Sequence, residues 1–174
     1  MIDQLGAGAL FGEIAVLAGG RRKASVRTVI PTTLVRIPGA ELRAAMQRAP
    51  VGDAKQGDAK LGDAKLGDAI WEVFAARIFD DHLRAAGLGR ELGRGERLAW
   101  VGRGRHSEVE AGAEVDGSGA AFLIVVHGDV WIEQAGTRLS AQAPVVIELG
   151  GPTTRIVATS RARVVHIPPL VGDT

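Results

Sequence analysis

A carboxylate and a basic cluster near the beginning of the chain have the residue types and spacing of a small-ligand site. Glu13 follows Gly12, an apolar segment runs to Leu17, and Arg21-Arg22-Lys23 begins eight residues after the carboxylate. A carboxylate accepts hydrogen bonds from a sugar diol, and an arginine fork holds a phosphate with help from backbone N–H groups at the start of a short helix. The pattern therefore predicts a site for a phosphorylated sugar.

Short strands and a helix must position these groups. Residues 24–29 and 33–37 have the β-branched composition of two strands, separated by a turn at Pro31. Residues 40–48 are expected to form a short helix that ends before Pro50.

The middle of the chain is a low-complexity tract that repeats Gly-Asp-Ala-Lys-Leu. A five-residue period fits neither a helical face nor a strand, and glycines at this frequency disfavour an isolated helix. We interpret residues 51–68 as a solvated linker; the alternative is a helix that extends the next one toward its N-terminus. Asp68 is the expected N-cap of an amphipathic helix that runs to Leu83, stops at Gly87 and carries Arg77 on its polar face.

From Glu96 onward the sequence is typical of an all-β domain. An apolar strand at 121–126, a turn at 127–129 and a partner strand at 130–133 form a predicted hairpin, and a second turn follows at 134–136. Further strands are expected at 145–149, 155–159 and 163–167. This spacing predicts a barrel or jelly roll.

Composition limits the classes of function. A net charge of +1, from 21 basic and 20 acidic residues in 174, supplies no overall field for nucleic acid or an anionic membrane. The absence of cysteine excludes disulfides, thiolate metal sites and cysteine catalysis, and fits a reducing compartment. No apolar run reaches the ~18 residues of a membrane span, and the first residues do not resemble a signal peptide. We expect a cytoplasmic protein with no membrane segment and no nucleic-acid partner.

The sequence shows no catalytic or metal-binding arrangement. Its four histidines are far apart, and no Ser/His/Asp set or carboxylate pair has a catalytic context. The expectation is a non-enzymatic protein with no metal and no cofactor. Two basic segments have alternative meanings: residues 22–26 as a kinase phosphorylation site, and residues 102–106 as an RNA-binding Arg-Gly tract. We interpret the first as part of the ligand site and the second as a basic loop.

The N-terminal residues resemble the phosphate-binding cassette of the cyclic nucleotide-binding domain family. The segments 11–17 (FGEIAVL) and 22–26 (RKASV) match its Phe-Gly-Glu, its apolar helical turn and its Arg-x-Ala-Ser/Thr in order and spacing. The resemblance implies that Glu13 binds the ribose 2′-hydroxyl and Arg22 the cyclic phosphate of cAMP or cGMP. It also implies that the helix after Asp68 covers the base. Lys23 departs from the family, which usually has a small residue there. The implied ligand-binding residues are Gly12, Glu13, Ile14, Ala15, Arg22, Lys23, Ala24 and Ser25.

The second half resembles the same family more faintly. Residues 121–132 look like the hairpin that precedes a cassette, but residues 146–151 lack the Phe-Gly-Glu helix. The first copy has only ten residues before Phe11, where the family has several strands. The resemblance implies a mainly β fold with a few helices, of the jelly-roll (double-stranded β-helix) type. Its expected parts are an incomplete first copy at 1–50, the linker at 51–68, a helix and connector at 69–95, and a degenerate second copy at 96–170.

Two functions follow from this organisation. The first is a regulatory module that binds a cyclic nucleotide and signals occupancy by a shift of the covering helix, as part of a larger transporter, channel or signalling protein. The alternative is an inert fold of the same type that acts as a structural or protein-interaction module. Half a jelly roll leaves sheet edges unpaired. We therefore expect a partner: a homodimer, or a missing N-terminal part of the parent chain.

Overall fold

In the computed structural model, the long helix α3 (Leu61–Ala86) packs on one side against the N-terminal segment and on the other against a β-sandwich. The described residues are 4–7, 9–17, 22, 24–48, 61–89, 91–150 and 154–170. Helices α1 (Glu13–Leu17) and α2 (Gly39–Arg48) precede α3, and α4 (Arg94–Val101) follows it. The helix predicted over 40–48 is therefore confirmed as α2.

Seven strands of the described chain form two antiparallel sheets. They are β1 (Arg105–Val109), β2 (Phe122–His127), β3 (Asp129–Gln134), β4 (Thr137–Gln142), β5 (Val145–Glu148), β6 (Arg155–Ala158) and β7 (Ala162–Ile167). One sheet has the order β1-β7-β2-β5 and the other the order β4-β3-β6. An isolated bridge adds Glu114 beside Val157 of β6. With that bridge counted as a short strand, the strand order is that of an eight-stranded jelly roll. The predicted mainly β jelly-roll fold is confirmed.

Strand β7 is buried along its whole length, and β2 is buried up to its last residue, because both of their faces are covered. Leu123 and Val125 lie in the core between the two sheets, whereas Phe122 and Ile124 belong to the core shared with α3. A strand with one solvated face would alternate apolar and polar residues. The helix is therefore a structural layer of the sandwich.

The predicted hairpin between residues 121–126 and 130–133 is wrong, although its turn is correct. β2 pairs with β5 and β7, whereas β3 pairs with β4 and β6. The chain crosses from one sheet to the other at Gly128, whose φ is +89°. A Cβ at Gly128 would lie 2.5 Å from the carbonyl oxygen of Arg161, so only glycine fits. The second predicted turn does close a hairpin, between β3 and β4, with Ala135 and Gly136 both at positive φ.

The two strands predicted within residues 24–37 do not form. The segment has no regular secondary structure and is exposed, with Val29 at 78% and Val35 at 87% of full accessibility. β-Branched residues favour a strand only where a neighbouring strand takes up the backbone hydrogen bonds. The described part of the chain places no strand beside this segment.

Helix α3 begins before the predicted N-cap, Asp68, so the linker prediction is wrong for residues 61–68. The alternative, an N-terminal extension of the helix, is correct there. The packed turns that follow Ile70 nucleate the helix, so each residue added before them only has to propagate it. Residues 51–60 lie outside the described residues. The C-terminus is as predicted: Gly87 has φ +71°, and the Leu88 N–H donates to the Leu83 carbonyl at 2.9 Å.

The β domain begins later than predicted, because α4 crosses the expected boundary at Glu96. The Glu96 carboxylate accepts a hydrogen bond from the Gly93 N–H at 2.6 Å, and this contact caps the first turn. The basic loop predicted at 102–106 is also only partly correct, since Arg105 and His106 open β1. The sequence did not predict α4 because a short amphipathic segment with a glycine N-cap is hard to distinguish from the strand segments that follow it.

We expect Gly128→Ala to lower the free energy of unfolding by more than about 2 kcal/mol, because it adds both backbone strain and a clash with Arg161. Gly136→Ala is the matched control: its φ is +77°, but a Cβ there meets nothing within 4 Å. The control should cost only about 1 kcal/mol. Urea unfolding followed by far-UV circular dichroism measures both. Equal losses would contradict the assignment of Gly128 as the sheet-crossing point.

Candidate functional site

The carboxylate of Glu13 is buried at the start of α1 and is bound by an arginine of α3. Glu13 is 1% exposed, and Arg77 Nη1 donates to its Oε1. The same guanidinium donates through Nη2 to the carbonyl oxygen of Leu10. A fork that binds both a side chain and the backbone of one segment fixes the segment's orientation. Arg77 therefore attaches the N-terminal site to α3.

The second oxygen of this carboxylate, Glu13 Oε2, is buried and has no hydrogen-bond partner among the described residues. A buried acceptor without a donor costs about 1–3 kcal/mol, and more when it is charged. A hydroxyl of a bound molecule would offset this cost. The carboxylate predicted to bind a sugar therefore keeps one oxygen that is not paired within the described residues.

Arg22 lies over the turn that leads into Glu13. Gly12 has φ +83°, and a Cβ built on it would clash with Arg22 Nη1. Glycine is needed here twice, for the backbone conformation and for the close approach of the guanidinium. In contrast to Glu13, Arg22 is exposed, so its charge is accessible to a ligand.

An open pocket of about 620 Å³ adjoins Arg22 and is lined by Phe11, Arg22, Ala24, Ser25 and Val26. Small-molecule sites have volumes of roughly 300–1,000 Å³. The guanidinium of Arg22 and the hydroxyl of Ser25 are the hydrogen-bond donors of its side chains. The pocket is therefore suited to an anion with an apolar body.

The structure brings together most of the predicted site. Gly12, which directly precedes Glu13, lies against Arg22, and Ala24 and Ser25 line the same pocket as Arg22. Ile14 and Ala15 are half-buried in α1. Lys23 lies outside the described residues.

Helix α2 also contacts α1. The Cβ position of Gly39 would be 3.3 Å from a methyl of Val16, and Arg43 Nη1 donates to the Val16 carbonyl at 3.3 Å. Leu42 is buried in the core shared with α3. The N-terminal site is thus held by two helices that follow it in the sequence.

Arg77 is the functional residue that the sequence pattern missed. The helical periodicity assigned it to a solvated face, but its side chain is only 25% exposed and is paired with Glu13. The available signal was an arginine on the helix that the resemblance places over the base of the ligand. Arg77 is not on a solvated face because other parts of the chain cover more of the circumference of α3 than a single apolar stripe implies.

A second polar cluster lies in the β-sandwich. Ser107 Oγ is 2.6 Å from His166 Nε2, and Arg105 Nη2 is 3.5 Å from His166 Nδ1. Because arginine only donates, its contact with Nδ1 fits the tautomer in which Nδ1 accepts and Nε2–H donates to Ser107. A catalytic base would instead accept the serine proton. The geometry is therefore that of a structural hydrogen-bond chain.

Burial of His166, which is 5% exposed, lowers the pKa of its imidazole, and the charge of Arg105 lowers it further.

No helix within the described residues is long and apolar enough to cross a membrane. Across the same described ranges, no three acidic, histidine or cysteine side chains are grouped as metal ligands would be.

Comparison with known proteins finds a similarity for the N-terminal segment. A family model described as "Cyclic nucleotide-binding domain" matches residues 1–49. No match was found among curated proteins.

Several solved structures resemble parts of the fold. Oxidized CprK in complex with o-chlorophenolacetic acid is 14% identical, with 40% of this chain and 35% of that chain covered and a TM-score of 0.33. cAMP-bound PfPKA-R is 12% identical over 56% of this chain and 38% of its own, with a TM-score of 0.39. A cyclic nucleotide-binding-like protein from Brucella abortus is 15% identical over 54% of this chain and 90% of its own, with a TM-score of 0.38. The matched part of this chain spans well under half the length of the first two. At these scores the likenesses establish neither ligand nor function.

We expect Arg77→Met to lower the free energy of unfolding by roughly 3–5 kcal/mol, because it leaves the buried Glu13 carboxylate without its cation. Glu13→Gln combined with Arg77→Met should recover part of this loss. The control is Arg84→Met, which breaks a more exposed pair with Asp80 on the same helix and should cost at most about 1 kcal/mol. Urea denaturation of the four proteins gives the comparison. Equal costs for the two single arginine variants would show that the Glu13 pair is not a buried constraint.

His166 should make the sandwich less stable in mild acid. In the folded state the pKa of His166 is lowered from the usual 6.5. Its imidazole is therefore neutral in both the folded and the unfolded chain well above pH 6.5, and below that pH the unfolded chain takes up a proton first. The free energy of unfolding should therefore fall as the pH drops through this window, and His166→Gln should remove most of that slope. Denaturation at about pH 7.5 and about pH 5.5 tests this, with exposed His127→Gln as control. A slope unchanged in His166→Gln would refute the assignment.

Proposed function

We propose that the N-terminal site, which lies in the segment matched by the family model "Cyclic nucleotide-binding domain", binds a 3′,5′-cyclic nucleotide, cAMP or cGMP. The observation that carries the proposal is the junction at Gly12, where the guanidinium of Arg22 rests on the turn that delivers Glu13. A cation and a carboxylate are thereby placed on one short backbone segment, as a ligand with a phosphate next to a hydroxyl requires.

The two charges would have separate roles. Arg22 is exposed and lines the pocket, so it would hold the cyclic phosphate, with the Ser25 hydroxyl as a second donor. Glu13 Oε2 would accept from the ribose 2′-hydroxyl, because its other oxygen is already bound to Arg77. Binding would then supply the hydrogen bond that the buried carboxylate lacks.

The burial of Glu13 makes binding a conformational event. At 1% exposure its carboxylate is out of reach of a ligand in the pocket unless α1 and α3 shift relative to each other. A ligand that binds better to the shifted state would move the population toward it. The proposed function is therefore regulatory and non-enzymatic, with α3 as the element that responds.

We place this module, again as a proposal, in a larger transporter, channel or signalling protein at a cytoplasmic location. The support is the match of residues 1–49 to a domain family of regulatory modules. The exposed segment 24–37 is an accessible surface for the rest of such a protein or for a second copy.

A second function has one specific observation in its favour. Glu13 is already paired in the described structure, so the motif could serve only to fix α1 on α3. In that case the chain would be a structural or protein-interaction module of the same fold. Ligand binding separates the two.

Titration of the purified protein with cAMP and with cGMP in a calorimeter should give saturable heat for at least one of them. Arg22→Ala should weaken that binding by at least about tenfold, because it removes a charge-assisted hydrogen bond to the phosphate. Arg22 is exposed, so this variant should fold normally.

The matched control is Arg27→Ala, which removes another exposed arginine that does not line the pocket. It should leave the affinity unchanged. No heat at millimolar ligand from folded wild-type protein would sink the binding proposal and leave the structural module. Equal losses for both arginine variants would show non-specific electrostatic attraction.

A further inference from the structure

Arg163 of β7 occupies an unusual position for a charged residue. It is 4% exposed, and it lies on the face of β7 that also carries Val165 and Ile167, which pack toward α3. Its Cζ is 4.9 Å from the centre of the Trp71 ring of α3. Burial of a guanidinium costs desolvation energy that an apolar residue would not incur. The position therefore needs an explanation other than packing.

Glu108 holds this guanidinium from the neighbouring strand. Arg163 Nη2 donates to Glu108 Oε1 at 2.9 Å, and the two residues are directly opposite in the β1–β7 ladder. Burial opposes ionisation of Glu108, but hydrogen bonds from Arg163 and Arg161 outweigh it and lower the pKa of the carboxyl. The cation is thus fixed between a charged carboxylate of the sandwich and an aromatic ring of the helix, an arrangement that restrains both partners.

Helix α3 links this contact to the N-terminal site. Trp71 and Arg77 are six residues apart, about 9 Å along the axis and about 120° around it. One face of the helix thus meets Arg163 of the sandwich while another meets Glu13 of the site. The turns of α3 between Trp71 and Arg77 are packed, and Phe74 in this stretch is fully buried. The helix therefore cannot rotate or slide at one contact and stay fixed at the other.

We propose that Arg163 is a positioning residue for the N-terminal site: through Trp71 it sets the rotation of α3 that brings Arg77 to Glu13. The β-sandwich then regulates the site, although it contributes no residue to the pocket. Coupling of this kind is reciprocal, so a change at Glu13 must be felt at Arg163. The coupling exists without ligand; only its effect on affinity rests on the proposed function.

Amide hydrogen exchange of the full chain without ligand tests the coupling. Arg163→Met should speed exchange in peptides that cover α1 and α2 by at least about fivefold, the lower end of typical coupling energies. Reciprocally, Arg77→Met should speed exchange in β1. Arg163→Lys, which keeps the charge and loses the planar fork, should give a smaller effect.

Two controls separate positioning from loss of stability. Arg155→Met removes an arginine of the same sandwich that pairs with Glu114 and not with α3. Val164→Ala weakens the core between the sheets, on the opposite face of β7 from Arg163. Neither should change α1 and α2 when compared at denaturant concentrations that match global stability. Changes confined to β1, β7 and the adjoining turns of α3 in Arg163→Met would overturn the proposal, as would an equal effect of Val164→Ala.

Calorimetry with cAMP distinguishes this inference from the proposed function. Where the wild-type protein binds, Arg163→Met should shift the Kd by at least about fivefold and Arg155→Met should not. An unchanged Kd together with unchanged exchange in α1 and α2 overturns the positioning role and leaves the proposed function intact. An absence of binding by the wild type overturns the proposed function, and the exchange measurement then decides the coupling by itself.

Discussion

The ion pair between Glu13 and Arg77 determines where the N-terminal site lies. Without it, the short helix α1 would be attached to the molecule mainly through the partly buried side chains of Ile14, Val16 and Leu17. Such a helix has too few residues to be stable by itself. The buried pair gives it a fixed orientation, because a carboxylate with almost no exposure requires its cation. Since Arg77 belongs to α3, the geometry of the site depends on how that helix is seated on the β-sandwich.

Two demands on α3 explain its composition. It must present an apolar surface to β2 and β7, which Phe74, Phe79 and Leu83 do, and it must also offer a cation to the site. These demands give a helix that is covered on more than one side. They also explain why a ligand that moves Glu13 is expected to act on the sandwich, and why the sandwich can act on the site in return.

Periodicity and turn chemistry were enough to predict a barrel or jelly roll, the helix α2 and the glycine stop of α3, and the family resemblance selected the jelly roll. They failed where the outcome depends on a distant neighbour. Residues 24–37 have strand propensity but no strand beside them in the described structure, and β2 and β3 are joined by a turn that changes sheets. The residues of the site were recognisable because Gly12, Glu13 and Arg22 are close in sequence. Arg77 was not, because its partner is 64 positions away and only the tertiary fold brings them together.

The central claim is that a cyclic nucleotide binds where Arg22 meets the Gly12 turn. Backbone amide chemical shifts of isotope-labelled protein, followed during a titration with 3′,5′-cAMP and 3′,5′-cGMP, test it most directly. The account predicts saturable shifts for at least one of them at Gly12, Glu13, Ala24 and Ser25, with smaller changes along α3, and no comparable response to the acyclic 5′-monophosphates. Absence of shifts at these four amides, or saturable shifts confined to the β-sandwich, would contradict it.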